Sequence, residues 1–459
     1  MPADDAITHA LDYADRWLAY RRWRLRVPGV QLAVRIGGEL VLERAIGIAD
    51  EATGEPLTND HRFRIASHSK ALAAIAAMRL VDDGVLRLDD PLGALVPALT
   101  GTDAAGLTVR ELLSHGSGAT RDGDDVAFWQ LADDFPDADR LRSIATSGVA
   151  RLDASAEFKY SNIGFGLLGL AIEAVTAQPY ADALARLVLA PLGLEATSAD
   201  IEGASQPLAT GHSALHSSDV RAPLGSPSSR ALAAATGAVS TAAELSDALR
   251  AVVDADDRLL SGTARRRMRQ RQWSTSGRDG AVAGYGLGLQ LREVDGRTWH
   301  GHGGAWTGQA TRTLVDAERD VVVSVLANAI DAPAEELAVG VARILQAALE
   351  PAAELADDEL ALARSFEGSF ASIWGRLDVV ELGGRLLGIA PTAADPLASV
   401  DVLTPRGTDR VVIAAATGMG SGHEEAIAER DESGRVVRWR GAWHQHAVDP
   451  VPAEAATTA

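Results

Sequence analysis

The sequence predicts an α+β fold with a small β-rich module towards its C-terminal end. Three observations lead there. Strand-like runs flank a long helical middle on both sides, so an antiparallel sheet built from both flanks, with helices packed on it, is the simplest arrangement. At 459 residues the chain is too long for one small core. Beyond about residue 350 the pattern changes to short alternating stretches separated by glycine-containing turns, with no long helix. The expected organisation is a main domain over 1–350, a linker over 351–365, a barrel-like β module over 366–450 and a tail over 451–459.

The elements follow in order. Apolar residues Ile7, Ala10, Leu11, Ala14 and Leu18 recur at helical spacing and predict an amphipathic helix over 5–24. Val30–Ile36 and Glu39–Ile48 read as strands joined at Gly37-Gly38, a pair suited to a tight hairpin. The run from His68 to Val81 is apolar on nearly all sides, which predicts a buried helix. Thr108 and Glu111, then Thr241 and Glu244, have the spacing of capping boxes that open helices. Helices are also expected over about 163–176 and 180–189. The polar, acidic stretch 120–139, with Phe128, Trp129 and Phe135 in it, reads as a lid or rim loop. Strands are expected over 285–294, 298–303, 309–315 and 320–327, and an amphipathic helix over 334–349. Gly164, Gly166 and Gly169 match G-x-G-x-x-G formally, but no strand precedes them, so close helix packing is the better account.

Composition removes several classes of function. The chain is 47% hydrophobic and 23% charged, with a net charge of −20. So acidic a protein is no general nucleic-acid binder. There is no cysteine, which excludes disulfides and thiolate metal sites. No stretch is apolar for the length of a membrane span, and residues 1–17 lack the apolar run of a signal peptide. A cytoplasmic location is the expectation. The pairs His300/His302 and His444/His446 lack the carboxylate context of a zinc site, and no metal is expected.

The chemistry concentrates at Ser67-His-Ser-Lys70. Placed at a helix start, Ser67 and Lys70 lie one turn apart on one face. Serine needs a neighbour to take its proton, and a poorly solvated lysine can do so. Of 43 basic residues only two are lysine, Lys70 and Lys159. Arginine serves every other basic position, so Lys70 suits a task that arginine cannot perform, namely losing its proton near neutral pH. Two further motifs follow. Tyr160-Ser161-Asn162 offers a phenol and a carboxamide. His302-Gly303-Gly304 lies on a predicted strand, with small residues that admit a ligand close to the backbone. No G-x-S-x-G occurs, which argues against a nucleophile elbow.

Together S-x-x-K, Y-x-N and [KH]-x-G, in this order, resemble the three boxes of the serine β-lactamase/penicillin-binding-protein superfamily. The likeness is to its class C-like branch of β-lactamases, D-aminopeptidases, D-Ala-D-Ala carboxypeptidases and family VIII esterases. Supporting stretches include Leu88–Pro91, Thr108–Gly118, Pro191–Leu194, Thr236–Glu244 and Tyr285–Gly288, so the resemblance covers about 5–350. It implies a β-lactamase/transpeptidase-like domain, an antiparallel sheet flanked by helices with an all-α region. It further implies that Ser67 is acylated while Lys70 and Tyr160 share the general-base work. Asn162 would bind substrate or orient Lys70, and His302 would take the substrate-binding place often held by lysine in the third box. Gly303, Gly304 and Ala305 would line the substrate channel, with the backbone N–H groups of Ser67 and Ala305 as the oxyanion hole. A cation at Lys70 is expected to favour the Tyr160 phenolate. The superfamily needs no metal or organic cofactor.

The third box departs from Lys-Thr-Gly. His302 is only partly charged at neutral pH and the threonine hydroxyl is missing, which disfavours a β-lactamase that grips a substrate carboxylate. The expected activity is therefore cleavage of small esters or amides through an acyl-Ser67 intermediate. A D-amino-acid-specific peptidase or amidase is the alternative, a weak β-lactamase another, and an inactive ligand-binding homologue the non-enzymatic one. The expected partner is a small-molecule substrate, with no nucleic acid and no membrane, and a homo-oligomer is left open.

Overall fold

The computed structural model describes residues 2–146, 148–202, 207–216, 218–276, 282–416 and 420–451. The predicted tail thus lies, from 452 onwards, outside the described residues. The chain forms two compact units, one of Pro28–Glu335 and one of Met1–Val27 with Glu336–Ala459.

The first unit is built on a nine-stranded sheet among the described residues. Its spatial order is Glu55–Pro56, Glu39–Asp50, Gly29–Ile36, Val321–Ala327, Gln309–Asp316, Arg297–Trp306, Gln290–Val294, Val282–Tyr285 and Trp273–Ser276. Every pairing is antiparallel, and the first long strand meets the last through Val30↔Ala327 to Ile36↔Val321. The sheet therefore joins both flanks of the sequence, as expected. Gly37 and Gly38, both at positive φ, make the opening hairpin. Helix Ala242–Arg250 packs across Gly29–Ile36 and Val321–Ala327. Helix His68–Asp82 is buried on nearly all sides, as its composition predicts.

The glycines of the formal G-x-G-x-x-G lie inside helix Asn162–Thr176. A Cβ on Gly166 would come within 2.9 Å of Leu232, and one on Gly169 within 3.1 Å of Ala234. They permit close packing, as read. The Thr108 box is complete, with the Glu111 side chain accepting from the Thr108 N–H. At Thr241 only the hydroxyl caps, accepting from the Glu244 N–H. The Glu244 carboxylate instead accepts from the Ala196 N–H and the Thr197 hydroxyl.

Two expectations need correction. The run 285–294 is a hairpin, not one strand. The chain turns over residues 286–289, where Gly286 N–H donates to the Leu289 carbonyl and Gly288 has a positive φ. The stretch 351–365 also contains a helix, Asp357–Arg364. Three acidic residues fill its first turn, where they favour the helix dipole, and Glu359 accepts from the Ala356 N–H.

In the second unit, eight strands from Gly368–Ser372 to Gln445–Ala447 close into a barrel, sealed by the pairs Phe370↔Ala447 and Ala371↔His446. Phe366, Phe370 and Trp439 fill its interior with Leu403, Val411 and Ile413. The same unit holds helix Pro2–Arg24, whose buried Trp17 lies so close to Gly340 that any Cβ there would strike the indole. No described helix is long and apolar enough to cross a membrane.

Candidate active site

Ser67 stands at the N-terminus of helix His68–Asp82, immediately after Ala66, a buried alanine at φ +47°. L-residues avoid this conformation, so the turn is held by its surroundings. The Ser69 hydroxyl donates to the Ala66 carbonyl and accepts from Ala238 N–H, while Ile65 N–H donates to the Ala238 carbonyl. The sharp turn leaves Ser67 half-exposed among buried neighbours, as a nucleophile must be.

Lys70 is fully buried. Its Nζ lies 3.3 Å from Ser67 Oγ, 2.6 Å from Asn162 Oδ1 and 2.8 Å from the Ala235 carbonyl. Burial pushes its pKa well below the ordinary lysine value, and Arg121 adds to this, against the opposing charge of Asp122. Such a shift favours the neutral amine, the form that can take a proton from Ser67. The Tyr160 hydroxyl is hydrogen-bonded to Ser67. Burial raises the Tyr160 pKa above its usual value, although the bond to Ser67 opposes this. That corrects the expected phenolate. Lys70 Nζ lies over the ring face, 4.7 Å from its centroid, rather than against the phenol oxygen. In the resting site the phenol keeps its proton, so it can donate one but not accept one.

His302 is buried on strand Arg297–Trp306. Its Nδ1 lies 2.7 Å from the Gly303 carbonyl, which only accepts, so the proton sits on Nδ1. Nε2 then accepts from the Tyr285 hydroxyl at 3.1 Å. Burial, with His68 and Lys70 nearby, drives the His302 pKa well below 6.5. The third box is therefore uncharged, more completely than the residue type implies. His68, buried behind it, is pushed down to about 3, by burial first and then by Arg312.

Gly304 is packed tightly against the serine turn. A Cβ there would lie 2.2 Å from the Ile65 carbonyl oxygen and 2.5 Å from Thr311 Oγ1. The strand and the serine turn thus meet backbone to backbone. Trp306 and Gln309 close a two-residue turn, so Ala305, opposite Ala310, occupies a non-bonded pair and its N–H faces away from that neighbour. Pairing on the other side of the strand ends at Gly301↔Gln290, which leaves this N–H available. At the strand's end Trp306 stacks on Phe135 and on the Arg64 guanidinium, with Trp129 edge-on. The aromatic residues of loop 120–139 thereby anchor it against the third-box hairpin.

The fold brings Ser67, Lys70, Tyr160 and Asn162 into direct contact, while His302, Gly303, Gly304 and Ala305 form the facing strand. Three neighbours were not singled out from sequence. Asp122 accepts from Asn162 Nδ2 at 2.6 Å. His115 is buried, packs on the Tyr160, Tyr285 and Phe165 rings and accepts from Ser161 N–H through Nδ1. Arg121 lies over the Tyr160 ring, 5.5 Å from its centroid. Asp122 was hidden in the acid-rich run 120–139.

Comparison with known proteins agrees with this geometry. The Beta-lactamase family model matches residues 6–348. The chain belongs to the β-lactamase family of serine hydrolases. Among its relatives, penicillin-binding protein 4 of Amycolatopsis lactamdurans is 31% identical over 66% of this chain and 81% of its own length. Esterase EstB of Burkholderia gladioli is 32% identical over 37% of this chain, a match that spans only 46% of the esterase. Among solved structures, SurE superposes with a TM-score of 0.64 at 28% identity, covering 97% of this chain and all of its own. The D-amino acid amidase of Ochrobactrum anthropi SV3, complexed with D-phenylalanine, gives 0.61 at 26% identity over 74% of this chain and 98% of its own.

Proposed function

We propose that this β-lactamase family member hydrolyses small uncharged esters or amides through an acyl-Ser67 intermediate. Ser67 Oγ attacks the carbonyl carbon as its proton passes to Lys70 Nζ. The N–H groups of Ser67 and Ala305 receive the oxyanion. Tyr160 protonates the departing alcohol or amine and takes up in turn the proton held by Lys70; water then cleaves the acyl-serine ester, one of its protons returning to Ser67 Oγ as the acid is released. Asn162 holds Lys70, and the strand His302–Ala305 lines the acyl side. The observation that carries the choice of substrate is the uncharged His302, tied to Tyr285 and Gly303, where a carboxylate-gripping relative needs a cation. The proposal keeps a cytoplasmic location, which cell fractionation checks.

A second reading, a D-amino-acid amidase or peptidase, draws support from the amidase neighbour, nearly all of which superposes on this chain. Mass spectrometry after a fluorophosphonate should find the adduct on Ser67, and Ser67→Ala should be inert. Activity that survives in Ser67→Ala would end the assignment. Rates on p-nitrophenyl butyrate, D-alanine p-nitroanilide and nitrocefin separate the readings, with the ester expected to be fastest.

A further inference from the structure

We infer that Asp122 is a positioning residue that aims the lone pair of Lys70 at Ser67 by fixing which way the Asn162 carboxamide points. The inference rests on the reading of Lys70 as the base.

Asp122 is buried, with one oxygen 2.6 Å from Asn162 Nδ2 and the other 3.1 Å from Arg121 Nε. A carboxylate only accepts, so the NH2 end of Asn162 must face it and the carbonyl end must face Lys70. The backbone pins the same unit, since the Arg121 carbonyl accepts from both Asn162 and Ile163 N–H. Lys70 Nζ then meets two pure acceptors, Asn162 Oδ1 at 2.6 Å and the Ala235 carbonyl at 2.8 Å. A neutral amine has two N–H bonds and one lone pair. Both N–H bonds are committed to these acceptors, so the lone pair is left for the third and longest contact, Ser67 Oγ at 3.3 Å. That is the arrangement in which the serine proton can be taken. If the carboxamide were reversed, its N–H would occupy the lone pair and Lys70 would no longer be a base towards Ser67.

Asp122 also acts on Lys70 through its charge. The other groups facing Lys70 are the phenol of Tyr160, the guanidinium of Arg121 and the imidazoles of His115 and His302. The nearby carboxylate favours the protonated amine, so its removal lowers the pH at which Lys70 loses its proton.

The test uses the full chain with p-nitrophenyl butyrate. Asp122→Asn keeps the shape but permits both carboxamide orientations. Expected are a roughly tenfold to hundredfold fall in kcat, in the range of a lost proton-transfer alignment, with KM within about twofold. The acid limb of the kcat/KM profile should move to lower pH. The exchange variant Asp122→Asn/Asn162→Asp places an obligate acceptor beside Lys70 again. It should regain most of kcat while its acid limb moves to higher pH, a pattern that a merely structural role would not produce. Thermal melting accompanies each variant, and the exchange variant carries the test if the single one fails to fold. An unchanged kcat and limb in Asp122→Asn, or no recovery in a folded exchange variant, overturns the inference. Lys70→Met separates the two levels. If it still acylates Ser67, the reading of Lys70 as base falls first; if it is dead while Asp122→Asn is normal, only the role of Asp122 falls.

Discussion

Gly304→Ala is the sharpest test of how the third-box strand is placed. The new Cβ would sit 2.2 Å from the Ile65 carbonyl oxygen and 2.5 Å from Thr311 Oγ1. A tolerable contact is about 3.4 Å, so strand and serine turn must part by about 1 Å. Ile65 lies two residues before Ser67, and Ala305 follows Gly304, so the movement separates the two N–H groups assigned to the oxyanion hole. A misplacement of about 1 Å costs about a hundredfold in rate, or about 2.7 kcal/mol of transition-state stabilisation. Gly303→Ala is the control, because its Cβ meets nothing nearer than 3.4 Å, at the flexible end of Arg312. Steady-state kinetics on p-nitrophenyl butyrate, with melting temperatures, should show kcat down about a hundredfold in Gly304→Ala and within about threefold of the parent in Gly303→Ala. Equal losses in both variants, or near-normal turnover in folded Gly304→Ala, would refute the argument that this backbone contact sets the hole.

Further predictions follow from charge and packing. The rate should rise with pH through the ionisation of Lys70, at a midpoint well below ordinary lysine, because the base must be unprotonated and burial lowers its pKa. The alkaline fall should lie above the ordinary tyrosine range, because Tyr160 must be protonated and burial raises it; a kcat/KM profile on a neutral ester whose acid limb lies at ordinary lysine pH would contradict this. Asp200→Ala should destabilise the protein by about 3–5 kcal/mol, measured by denaturant titration, because it strips the buried Arg64 of its carboxylate. The domain boundaries proposed from sequence predict that a chain ending near residue 365 still folds. The lost contact of Tyr13 with Asp378 predicts a lower melting temperature, and complete unfolding would count against a boundary there.

What could be read in the sequence was whatever local chemistry dictates. The Gly37-Gly38 turn, the Thr108 cap and the buried serine helix depend on neighbours a few residues away. The three boxes were legible because each carries its own chemistry. What stayed hidden depends on distant partners. Gly286 and Gly288 fell inside a run read as one strand, yet a Cβ on Gly288 would collide with Ala74, so the turn packs against the serine helix. Glu244 had the spacing of a capping box, but its carboxylate is held by residues 196 and 197. Helix Asp357–Arg364 was masked by a composition equally typical of linkers. Asp122 gains meaning only from Asn162, 40 residues on, and Asn162 from Lys70, 92 residues back.

The site also shows why replacing the third-box lysine changes more than one contact. A lysine at position 302 would bring a second cation towards Lys70, whose buried amine must be neutral to act. Two ammonium groups in one poorly solvated pocket disfavour each other's charge, so a charged third box works only while a substrate anion or solvent compensates it. Here Gly303 and Tyr285 hold the imidazole in its neutral tautomer, and the pocket has no such requirement. Lys70 therefore gains no help from this box in shedding its proton, and its lowered pKa rests on burial and on Arg121. A neutral ester enters without stripping solvent from a carboxylate, whereas an anionic substrate would give up its hydration and find no cation at this box in return. On the proposed function, the neutral third box thus selects against the anion without assisting the base.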